Sequence, residues 1–140
     1  MPIESMDPAA AHQAMAGDDA CRFLDVRTCE EYDQGHPANS VNVPWAVVDQ
    51  STGQMAPNPD FAPTVKKHFT PDTRIVLSCQ AGMRSLKACM ELEAAGYTKL
   101  VNVDGGFGGR RDPMGQVITA GWAESDLPVD NGQSTYQELC

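Results

Sequence analysis

Positive charge is scarce in this sequence: 10 lysines and arginines stand against 19 aspartates and glutamates in 140 residues, a formal net charge of -9. Such a deficit argues against nucleic acid and against an anionic membrane surface as partners, because both need a surplus of lysine and arginine. It also means that an anionic substrate must be recruited by a local cation, since the global field repels it. No apolar run approaches a membrane span, and the N-terminus lacks the charged-then-apolar layout of a signal peptide. The chain is therefore expected in the cytoplasm, with its cysteines (Cys21, Cys29, Cys79, Cys89 and Cys140) reduced. There is no CxxC pair and no Cys/His pair at zinc-ligand spacing, so no metal is expected.

What is present fits one domain able to bury a core without staples. Short apolar runs at 21–26, 40–44, 74–78 and 99–103 read as strands. Between them lie helix signals. Asp7 and Pro8 open one that stops at Gly17, and Thr28 with Glu31 has capping-box spacing for a short helix ending near Gly35. A helix is expected over Phe61–His68, with Asp60 near its start. Another runs from about Arg84 to Ala95, with Leu86, Cys89 and Met90 near one stripe and Gly96 as its stop. Residues 49–60 read as loop, and "DGGFGGRRDPMGQ" as too glycine-rich to be regular. "AGWAESDLPV" holds a final helical turn, and the polar tail, 131–140, is expected to lie outside the domain at 1–130. Strands alternating with helices predict an α/β fold with a parallel sheet covered on both faces. Sites in such sheets lie at the carboxyl ends of strands, where Cys79, Asp25 and the Gly105–Gly106 turn fall.

The stretch "VLSCQAGMRSLKA" places Cys79 between a strand and a helix. Successive backbone N–H groups and a helix start favour an anion there, and the thiolate is the nucleophilic form of cysteine. Ala81 and Gly82 suit a tight loop, Arg84 adds a planar cationic fork able to hold an oxyanion, and Ser85 has a hydroxyl to donate to the sulfur. The bland reading, an inert buried cysteine, is the common fate of this residue type.

Four pieces in order, "FLDVRTCEEYDQGH" with "NVP", "CQAGMRS", "GG", and a later "W…LPV", resemble the rhodanese superfamily from Ile3 to about Val129. The resemblance implies a three-layer sandwich with a five-stranded, mostly parallel sheet flanked by helices. It implies no cofactor and a catalytic Cys79 that carries sulfane sulfur as a persulfide, cradled by Gln80, Ala81, Gly82, Met83, Arg84 and Ser85. The partners implied are a small sulfur donor (thiosulfate, polysulfide or a persulfide) and a thiol, cyanide or protein acceptor.

Phosphatases and arsenate reductases related to this fold place one residue more between Cys and Arg, so the shorter loop here resembles the sulfurtransferase branch. That enzyme class and a non-catalytic sulfur-carrier or binding module are the alternatives. Asp25 and Arg27 match the family's Asp-x-Arg motif and are read as structural support, a carboxylate holding loops and its ion-pair partner. "FGGRRDPMGQ" looks like an insertion at the active-site rim, where Arg110 and Arg111 either attract an anionic donor or pair with Asp112 or other acids. His36 reads as a packing or turn residue, His12 and His68 as solvated, and Cys21 and Cys89 as core.

Overall fold

A computed structural model describes residues 3–131. In chain order the elements are β1 (Glu4–Met6), α1 (Pro8–Ala16), β2 (Arg22–Asp25), α2 (Cys29–Gln34), β3 (His36–Pro37) and β4 (Val41–Asn42). There follow β5 (Ala46–Val48), β6 (Met55–Pro57), α3 (Phe61–His68), β7 (Ile75–Ser78), α4 (Met83–Ala94) and β8 (Leu100–Val103). The chain then forms β9 (Arg110–Arg111), β10 (Val117–Thr119), a 3-10 turn at Trp122–Glu124, and β11 (Val129–Asp130). β1, β8, β7, β2 and β4 make a five-stranded sheet in that order, and every pairing in it is parallel.

The helix signals act as expected. The Asp7 carboxylate accepts from Ala10 N–H at 2.8 Å, and Pro8 occupies the first turn, where its missing N–H costs nothing. At α2 the capping box is complete, with Thr28 Oγ1 accepting from Glu31 N–H and Glu31 Oε1 accepting from Thr28 N–H.

The central strands are buried on both faces, which is why they read as short unbroken apolar runs. Alternation sorts their side chains into two cores. Leu24, Ile75, Leu77 and Leu100 meet α3 and α4 through Phe61, Val65, Cys89 and Leu92. Phe23, Val76, Val101 and Val103 meet Ala11 of α1 and Trp122 on the opposite face.

Several expectations change. β1 was not anticipated; an edge strand of three residues is too short to carry a pattern. Residues 49–60 are not all loop, since β6 pairs antiparallel with β5. The glycine-rich segment contains a regular piece as well, the β9–β10 hairpin, because strand pairing needs only a few residues once a turn is set. Asp112 sets that turn by accepting from Met114 and Gln116 N–H. On α4 the buried stripe is Ser85, Ala88, Cys89 and Leu92, whereas Leu86 and Met90 are exposed. That stripe follows i, i+3, i+4, i+7 spacing from Ser85, a phase that turns Leu86 and Met90 outward. His12 is half-buried, with its ring edge-on to Trp122 at 5.5 Å, and Cys21 is half-buried at the start of β2 rather than core.

Cys29 is disulfide-bonded, which corrects the expectation of reduced thiols at that position; a compartment argument carries no information about local geometry. Cys21, Cys79 and Cys89 are free, and Cys140 lies outside the described residues. Asp130 of β11 pairs with His36 of β3, which ties the chain down just before the tail.

Leu77 is fully buried in the central strand that leads to Cys79. Leu77→Ala is expected to cost about 2–5 kcal/mol of stability by urea unfolding, from lost burial plus the cavity left behind.

Candidate active site

The carboxyl ends of β2, β7 and β8 bring together the loop after Asp25, the Cys79 loop and the glycine loop from Gly105. Cys79 follows β7 directly and is 1% exposed. Its sulfur accepts from Gly82 N–H at 3.1 Å, and the Ser85 hydroxyl oxygen lies 3.4 Å from it. Gly82 heads α4 with φ 113°, a left-handed conformation that favours glycine.

The Cys79 and Gln80 carbonyls are drawn to the neighbouring glycine loop. Phe107 N–H donates to Cys79 O at 2.7 Å, and Gly108 N–H donates to Gln80 O at 2.9 Å. A Cβ at Gly106 would stand 2.3 Å from the Cys79 carbonyl oxygen, so this approach requires glycine. Planar trans peptides turn the next N–H groups, of Gln80 and Ala81, away from the glycine loop.

Arg84 does not hold an open fork. Its guanidinium makes a two-pronged ion pair with Glu31 of α2, at 2.7 and 3.0 Å. Burial pushes the Glu31 pKa up, but hydrogen bonds from Arg84 and Thr28 and the Arg84 charge outweigh it, bringing the carboxyl from an ordinary 4.5 to about 2. The Glu31 hydrogen bond likewise raises the Arg84 pKa.

Asp25 and Arg27 are both buried and paired at 2.8 Å. Arg27 also donates to Gly35 O at 2.6 Å and to Gln80 Oε1 at 3.4 Å, and its guanidinium lies 4.4 Å from the Phe107 ring centroid. One side chain thus ties the end of α2 to the Cys79 loop and to the glycine loop. Gln80 and Met83 are exposed, while Ala81 is half-buried.

Arg110 pairs with Asp104 and Arg111 with Glu124; neither pairs with Asp112. Both acids have lowered pKa values, Asp104 chiefly through the Arg110 hydrogen bond and Glu124 chiefly through Gly121 N–H. His36 is buried, stacked 3.6 Å from Tyr32, and its Nδ1 donates to the Tyr32 carbonyl. Trp122 is buried and donates to Pro128 O at 2.7 Å.

Beside the Cys79 loop lies an open cleft of about 430 Å³ bordered by Gln34, Gln80 and Phe107. A larger cavity of about 690 Å³, bordered by His12, Cys21 and Trp122, sits where the strands begin. Cys79 and the three converging loops are at the other end, beside the smaller cleft. Among the described residues no cluster of His, Cys, Asp and Glu could hold a metal ion.

Sequence reasoning saw Glu31 only as a cap and did not single out Asn102 or Phe107. Asn102 carried a visible signal, a polar residue interrupting the apolar run "KLVNV". The Glu31 contact joins positions 53 apart in the chain and has no local mark.

The profile of the family described as Rhodanese-like domain matches residues 7–109. Thiosulfate sulfurtransferase 16, chloroplastic, of Arabidopsis thaliana is 37% identical over 108 residues, covering 77% of this chain and 78% of that protein. Senescence-associated protein DIN1 of Raphanus sativus is 35% identical over 109 residues; these cover 78% of this chain and only 52% of that one. The crystal structure of Rv0390 from M. tuberculosis has a TM-score of 0.77 and 26% identity, covering 94% of this chain and 100% of the other.

Because the Glu31 carboxyl is depressed on folding, its contribution to stability is fully present above about 4.5 and is lost as pH falls through about 2. Urea unfolding of wild type should therefore weaken across that window by more than that of Glu31→Gln. Parallel pH curves for the two proteins would contradict the assignment.

Proposed function

The chain belongs to the rhodanese-like domain family, and from that premise we propose that it is a sulfurtransferase that carries sulfane sulfur as a persulfide on Cys79. The observation that supports this most is the environment of the sulfur, a strand-end thiol that receives a backbone N–H, with a serine hydroxyl in reach, ahead of a helix start. The N–H and the helix start favour an anionic sulfur.

In the first half-reaction the Cys79 thiolate attacks the outer sulfur of the donor. A new S–S bond forms, the donor's own S–S bond breaks, and the electron pair leaves with sulfite when thiosulfate is the donor. In the second half-reaction a nucleophilic acceptor, cyanide or a thiol, takes the outer sulfur and returns the thiolate. The N–H groups of the loop and the start of α4 hold the negative charge throughout, and no cofactor is needed. Gln80, Ala81, Gly82, Met83, Arg84 and Ser85 form the cradle, with Asp25 and Arg27 supporting it from beneath.

The donor is drawn from thiosulfate, polysulfide and persulfides. Arg27, Arg84, Arg110 and Arg111 are each paired with a carboxylate, so a dianion gains little from them, whereas a less charged donor has less need of them. The same pairing weighs against a phosphatase or arsenate reductase, because Glu31 already occupies the fork that would hold the oxyanion.

Intact-mass analysis after incubation with thiosulfate or polysulfide should show one added sulfur, mapped to Cys79 and removed by cyanide as thiocyanate. Cys79→Ser should fall to the background rate while remaining folded, since a hydroxyl fits the cradle but is a far poorer nucleophile. Sulfur found on Cys21 or Cys89 with Cys79 unmodified would sink the proposal. So would turnover of an aryl phosphate that Cys79→Ser abolishes.

A further inference from the structure

Asn102 is a polar side chain inside a buried strand, and its register gives it a place. Its neighbours Val101 and Val103 face the α1 side of the sheet, so Asn102 faces α4. There its amide meets the two residues that touch the sulfur. Nδ2 donates to the Gly82 carbonyl at 3.2 Å, and Oδ1 accepts from the Ser85 hydroxyl at 2.5 Å.

Ser85 has one hydroxyl proton and three acceptors in reach: Asn102 Oδ1 at 2.5 Å, Gly82 O at 3.3 Å and Cys79 Sγ at 3.4 Å. A thiol sulfur is a weak acceptor and an amide oxygen a good one, so while Cys79 is protonated the hydroxyl points to Asn102. Ionisation makes the sulfur the stronger acceptor, but turning the hydroxyl toward it strips a buried Oδ1 of this partner. The amide therefore opposes what the hydroxyl would otherwise favour.

We propose that Asn102 is a positioning residue that competes with Cys79 for the Ser85 proton and so sets the pH at which the thiol ionises. This rests on Cys79 being the nucleophile. Asn102 Nδ2 meanwhile holds the Gly82 carbonyl, which lies in the peptide after the N–H donor.

The charged side chains around Cys79 include two ion pairs. Arg84 from α4 is paired with Glu31 from α2, and Arg27 with Asp25 at the end of β2. Cys89 from α4 is pushed up to about 12 by burial, with Cys79 and Glu93 adding to the rise, so it stays neutral near physiological pH.

Ultraviolet thiolate absorbance, taken as the difference between each protein and its Cys79→Ser counterpart, reads the ionisation midpoint without any turnover. In Asn102→Leu the midpoint is expected to fall by about one unit, a tenfold gain in thiolate below it, and the fall should vanish when Ser85→Ala is added. A purely structural Asn102 predicts the reverse, because a loosened Gly82 N–H disfavours the anion. Ser85→Ala alone should stay near the wild-type midpoint, its proton having served Asn102. Because the readout is ionisation, it can fail while persulfide formation succeeds, and the converse also holds. A rise or no change in Asn102→Leu, or an equal fall without Ser85, overturns the proposal. If Asn102→Leu does not fold, Ser85→Ala decides alone, and a rise of about one unit there would show that the hydroxyl already serves the sulfur and overturn it.

Discussion

The Cys79 carbonyl accepts the Phe107 N–H at 2.7 Å and the Gln80 carbonyl accepts that of Gly108 at 2.9 Å, and the two loops come this close only because residue 106 has no side chain. These bonds satisfy carbonyls that a tight loop would otherwise leave buried and unpaired. They also orient the peptides that follow Cys79. The parallel pairing of β7 with β8 sets the two loops side by side, Leu77 opposite Asn102, so the sheet register and the shape of the cysteine loop are one constraint.

Around that contact the positive charges are spent on structure. Arg27 holds Asp25, Gly35 and Gln80 while lying on Phe107, and Arg84 is clamped by Glu31. Arg110 and Arg111 brace the hairpin against Asp104 and Glu124. Buried or half-buried guanidinium groups without such partners would be costly. The sulfur of Cys79 is left with a backbone N–H at 3.1 Å and a hydroxyl in reach at 3.4 Å, ahead of a helix start.

Much of the frame was legible locally. Asp7–Pro8 and Thr28–Glu31 announced helix starts because capping is a contact between residues three apart, and the apolar runs announced strands because a parallel sheet buries both of their faces. β1 and the β5–β6 and β9–β10 hairpins were not legible. Elements of two or three residues carry no period and exist only through a partner strand. The stripe on α4 was misread for a related reason. Leu86 and Met90 have the hydrophobicity of core residues, but the helix phase set by packing on the sheet turns them outward and buries Ser85, Ala88, Cys89 and Leu92 instead.

The order of residues alone determined that a cysteine would stand between a strand and a helix, with a small residue three positions on and an arginine five positions on. Those are nearest-neighbour facts, and chain stiffness transmits them. Where the arginine's charge goes, which face Asn102 presents and how near the glycine loop comes were decided only by the tertiary structure. Glu31 and Arg84 are 53 residues apart, and Ser85 and Asn102 are 17 apart, and each pair meets because parallel strands return the chain to the same end of one sheet. Proximity of that kind belongs to the packed crossovers, whose geometry no single segment contains.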